Sequence, residues 1–78
     1  MIKTINQNRK EIRMNVGKTL SELRIKKKKS RLEMARDIGV SKSAIAMYER
    51  GERIPKDSIK VKIAAYFQKS VESIFFTK

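Results

Sequence analysis

Residues 30–51 read SRLEMARDIGVSKSAIAMYERG, two short helical patterns hinged on one glycine. Ser30 and Glu33 stand in the S-x-x-E order of a capping box, in which hydroxyl and carboxylate each accept from the other residue's backbone N–H. That pair opens a helix whose apolar side is expected from Leu32, Ala35 and Ile38, with Met34 nearby, and whose end falls at Gly39. The chain restarts at once: Ser41 suits an N-cap, and Val40 is placed to staple against Ile45. Gly51 stops this second pattern. Only a tight turn fits between the two helices, so they must cross at a large angle.

This is helix-turn-helix spacing. Within its second helix, Ala44, Ile45 and Tyr48 share one side at helical spacing, while Lys42, Ser43, Ala46 and Met47 share the other. A purely solvated face would usually carry Glu and Lys rather than Ser, Ala and Met. The second side therefore has the makings of a contact surface.

The polyelectrolyte balance suggests what it meets. The 78 residues hold 20 Lys and Arg against 8 Asp and Glu, a formal charge of +12, which suits a nucleic acid or an anionic membrane surface. The bias is concentrated early: residues 1–29 carry ten basic and two acidic side chains. A chain this short forms one domain and buries only about 60% of its unfolded surface, which favours compact all-helical packing. Cysteine and histidine are both absent, so disulfides, thiolate and imidazole metal ligands and the commonest general base are excluded together. No cofactor and no small-molecule ligand is indicated. No apolar run reaches the roughly 20 residues of a membrane span, and MIKTINQNRK lacks the apolar centre of a signal peptide. The expected location is the cytoplasm.

Outward from the central stretch, residues 1–14 read as a basic N-terminal arm or an extension of the first helix, and residues 15–78 as the folded domain. Val16, Leu20 and Leu23 give the first helix its stripe, with Asn15 as a candidate N-cap and the run KKKK at 26–29 as its end. Gly17-Lys18-Thr19 has the ending of a phosphate-binding loop, but the earlier glycine would fall at Ile12 and no strand precedes it. Beyond Pro55, Asp57-Ser58 are expected to cap a fourth helix bearing Ile59, Ile63, Ala64 and Phe67. Ser70 starts a short fifth, VESIFF, in which Ile74 and Phe75 close the core.

From VGKTLSELR through SRLEMARDIGVSKSAIAMYERGERIP to KIAAYF and SVESIF, about residues 16–76, the chain resembles the small Cro/CI-type (XRE-family) helix-turn-helix repressors of bacteria and phages. Ala35, Gly39, Ile45 and the Tyr48-Glu49-x-Gly51 ending recur in register. The chain departs at Arg31, where the family often has Gln, at Met34, where Leu is usual, and at Lys60, where an apolar residue is common. The resemblance implies a compact five-helix, lambda-repressor-like, all-α DNA-binding domain. It also implies that Lys42, Ser43 and Met47 read base edges in the major groove and that Arg24 and Glu49 form a structural salt bridge. Ser41 suits a phosphate donor as well as a cap, and Arg31, at the start of the second helix, suits a phosphate contact.

The function expected is sequence-specific binding of a double-stranded DNA operator by a transcriptional regulator, a repressor in its usual form, acting as a homodimer on DNA. Phe75 and Phe76, which cannot easily share one small core, mark a candidate dimer interface, and residues 1–14 another. An antitoxin or restriction controller would use the same module. A basic amphipathic module for RNA or membranes is the reading from a different class. No enzyme is expected.

Overall fold

The computed structural model describes the backbone of residues 3–76 and the side chains of residues 15–76. Among these residues five helices follow one another: α1 (Lys3–Lys26), α2 (Arg31–Ile38), α3 (Lys42–Glu49), α4 (Asp57–Tyr66) and α5 (Val71–Phe75). The fold is all-α and lambda-repressor-like. α1 packs against α3 and α5, α2 against α3 and α4, and α4 against α5. The core at their meeting includes Val16, Leu20, Met34, Ala35, Ile38, Ile45, Tyr48, Ile63, Ile74 and Phe75, all buried.

Each boundary has a local cause. Ser30 Oγ accepts from the Glu33 N–H at 3.0 Å and Glu33 Oε1 from the Ser30 N–H at 2.8 Å, so the capping box is complete. The two backbone and hydroxyl bonds from Ser30 hold the exposed Glu33 carboxyl below its ordinary pKa. Ser41 and Ser70 cap α3 and α5 by accepting from the N–H groups of Ala44 and Ser73, each at 3.0 Å. Gly39, at φ 92°, turns the chain between α2 and α3 in a left-handed conformation that a Cβ would oppose. Val40 packs on the core beside it.

Three local expectations need correction. Asn15 is not an N-cap, because α1 runs unbroken from Lys3, so residues 3–14 continue the helix rather than precede it. No Gly or Pro interrupts that segment, and nothing in it forces a stop. Leu32 does not join the core: it is 44% exposed while Met34 is fully buried. In a two-turn helix the inward face is narrow, and packing of α2 against both α3 and α4 centres it on Met34, Ala35 and Ile38. Asp57-Ser58 do not cap α4, whose N-cap position is Lys56, with no side-chain cap bond. Asp57 is the first helical residue instead, where its charge meets the positive end of the helix dipole.

Among the departures from the family pattern, Lys60 keeps its stem against the protein and carries Nζ to 3.6 Å from Asp57 Oδ1 and above the rings of Phe75 and Phe76. The two aromatics divide as their crowding suggests: Phe75 is buried and Phe76 is 62% exposed.

Candidate nucleic-acid interface

α3 is two turns long, and its two sides differ as the sequence pattern requires. Ala44, Ile45 and Tyr48 are buried. On the opposite side Lys42 and Ser43 are exposed, while Ala46 and Met47 are partly covered. Lys42 forms no salt bridge among the described residues, so its ammonium is available to an incoming acceptor. Ser41 uses a hydroxyl lone pair for its cap, and its O–H donates to no group among the described residues.

Behind this surface, α3 is clamped at its C-terminal end. Arg24 donates from Nε to Glu49 Oε2 at 2.6 Å, from Nη2 to Glu49 Oε1 at 3.2 Å and from Nη1 to the Lys29 carbonyl at 2.9 Å. One guanidinium thus ties the end of α1 to its own exit turn and to α3. Glu49 is 2% exposed in its side chain and Arg24 12%, which places the pair in a setting where loss of one partner strands a charge.

A third residue enters the cluster. Arg31 donates from Nε to Glu49 Oε1 at 3.0 Å, with its side chain 42% exposed. It is thereby held at the N-terminal end of α2, and its Nη groups make no hydrogen bond among the described residues. A carboxylate shared by two arginines leaves the cluster with one positive charge in excess, on its solvent side.

Two contributors were not read from the sequence. Gly17 is buried where α1 crosses the end of α3, and a Cβ there would collide with the Glu49 carbonyl oxygen and lie 2.8 Å from that of Tyr48. The glycine sits inside the GKT tripeptide, and its role is set by the approach of α3, a segment about 30 residues away in the chain. Arg50 continues the outer side of α3 by one more position, and Glu52 grips it through two hydrogen bonds of 3.0 and 3.1 Å. The signal was present in the spacing, since Arg50 lies four residues after Ala46 and seven after Ser43.

A second helix carried on a first by a tight turn, with its inner side in the core and an outer side of small, polar and cationic residues, defines a DNA-binding helix-turn-helix domain. The family model described as helix-turn-helix matches residues 20–74, well over half of the chain. The protein belongs to this family, the Cro/CI-type (XRE) helix-turn-helix regulators, and is a DNA-binding regulator in that general sense. Comparison with curated proteins finds no match. No helix among the described residues is long and apolar enough to cross a membrane.

Proposed function

We propose that the protein is a sequence-specific transcriptional repressor that binds an operator in double-stranded DNA as a homodimer in the cytoplasm. The observation that carries this reading is the division of α3 into a buried side and an exposed side led by Lys42 and Ser43. Ser43 and Ala46 keep that side thin enough for the major groove, Lys42 donates to guanine O6 or N7, and Met47 meets a thymine methyl. Ser41 and Arg31 contact phosphates on either side of the reading helix, Arg31 through the Nη groups that Glu49 leaves unused. One such helix reads only a few base pairs, so specificity calls for two copies on inverted half-sites about one helical turn apart. Exposed Phe76 offers those copies an apolar contact.

Selection of bound duplexes from a random pool tests the reading. The expected product is an inverted repeat bound by two chains, with log affinity falling against log salt at a slope of about −5 for six phosphate contacts. Recovery of unrelated sequences with equal affinity would refute sequence-specific reading, and a 1:1 complex on the recovered operator would refute the dimer.

A further inference from the structure

A groove of about 250 Å³ lies between the C-terminal ends of α1 and α4, and none of Arg31, Ser41, Lys42, Ser43 and Met47, the residues assigned to DNA, lines it. Leu23, Tyr66 and Phe67 give it apolar walls, with the two rings edge to face at 5.0 Å. Lys26, Lys27 and Lys69 stand around it, and no carboxylate lines it. Lys27 Nζ sits 5.0 Å from the centre of the Tyr66 ring, while Lys26 and Lys69 form no salt bridge among the described residues. The Tyr66 hydroxyl donates to Asp37 Oδ2 at 2.7 Å, which anchors this wall to α2.

The backbone on both sides of the groove is held in an uncommon form. α1 and α4 each end in a left-handed residue that is not glycine, Lys28 at φ 62° and Gln68 at φ 56°, the two such residues in the described chain. The paired terminal hydrogen bonds match: Lys29 N–H to Arg24 O and Lys28 N–H to Ile25 O, then Lys69 N–H to Ala64 O and Gln68 N–H to Ala65 O. The equivalent left-handed positions after α2 and α3 are Gly39 and Gly51. Of the two non-glycine residues, Gln68 lines the groove, and Lys28 directly follows Lys27 of its other wall.

We propose that this groove is a docking site for an acidic polypeptide segment carrying one aliphatic or aromatic anchor, supplied by a partner protein. The apolar walls take the anchor and the three lysines take the flanking carboxylates. Charge decides between occupants: a second copy of a chain of net charge +12 would bring like charge to a lysine rim. Duplex DNA supplies the charge but offers phosphates, which leave an aromatic-walled concavity unfilled. The groove takes none of its lining from the residues assigned to DNA, so an acidic partner does not compete with the duplex for those side chains.

The test uses two synthetic acidic peptides, identical except for a central Phe in one and Ala in the other, titrated into the isotope-labelled full chain. Amide resonances of residues 23–27 and 66–69 are expected to move, and the Phe peptide to bind at least about tenfold more tightly than the Ala peptide. Lys26→Ala with Lys69→Ala should weaken the Phe peptide about tenfold while operator affinity at fixed salt changes less than about threefold. Both sites are exposed, and circular dichroism checks that the variant folds; Lys26→Gln with Lys69→Gln repeats the measurement with longer side chains. No binding, equal affinity of the two peptides, or shifts centred on residues 42–47 would overturn the proposal. A loss of operator affinity matching that of Lys42→Ala would assign the lysines to DNA instead and overturn it equally.

Discussion

Glu49→Ala should be the most damaging single change in the clamp, more so than Arg24→Ala, although a simple pair would make the two alike. Glu49 serves two guanidiniums, from Arg24 at 2.6 Å and Arg31 at 3.0 Å. Its removal leaves Arg24, 12% exposed, facing a second cation with only the Lys29 carbonyl as partner. The expected cost is about 3–5 kcal/mol, the range for stranding a buried charge. Arg24→Ala leaves the carboxylate one remaining arginine, so its cost should be smaller, about 2–3 kcal/mol. Arg31→Ala removes a partner that is 42% exposed, and solvent screening limits the loss to about 1 kcal/mol or less. Urea denaturation followed by far-ultraviolet circular dichroism measures all three, and the Arg24→Ala/Glu49→Ala double variant completes the cycle. The expected coupling lies at the upper end of the roughly 0.5–3 kcal/mol found for residues in one network. Arg24→Ala costing more than Glu49→Ala, or additive effects in the cycle, would refute the shared-carboxylate account.

Other outcomes follow from single observations. Gly17→Ala should destabilise the fold by about 1–3 kcal/mol or more, because the new methyl meets the Glu49 and Tyr48 carbonyls of α3; a melting temperature equal to that of the parent chain would contradict the packing. Gln68→Gly and Lys28→Gly should each stabilise by up to about 1 kcal/mol by relieving a left-handed side chain, read from denaturation midpoints. Lys42→Ala should cost about 1–3 kcal/mol on the preferred operator and relax one base position, whereas Arg31→Ala should weaken all duplexes about equally and lower the salt slope by about one. Glu52→Gln should free the Arg50 guanidinium and raise affinity for duplexes irrespective of sequence; unchanged binding at low salt would place Arg50 outside the interface.

The central motif was legible because its information is local. A capping box, two serine caps and a left-handed glycine act through hydrogen bonds and torsions within a few residues, so Ser30, Glu33, Gly39, Ser41 and Ser70 could be assigned their places from adjacency alone. The inward side of α3 was equally plain, since periodicity in an eight-residue helix identifies Ala44, Ile45 and Tyr48 without knowledge of their neighbours. The same periodicity set Lys42, Ser43, Ala46 and Met47 together on the other side.

What adjacency could not decide was which of several apolar candidates the rest of the molecule would cover. Leu32 and Met34 are both apolar and two residues apart; α3 and α4 together bury Met34 and leave Leu32 in water. The length of α1 escaped because Asn15 is a good cap only where a helix needs to begin, and nothing upstream requires a break. Gly17 and Arg31 carry their meaning at long range, one through the approach of α1 to the carbonyls of Tyr48 and Glu49, the other through a carboxylate 18 residues away. Capping and periodicity are encoded by neighbours in the chain, and the sequence by itself determined them; close approach and shared charge exist only once distant segments meet, and tertiary structure alone decided those.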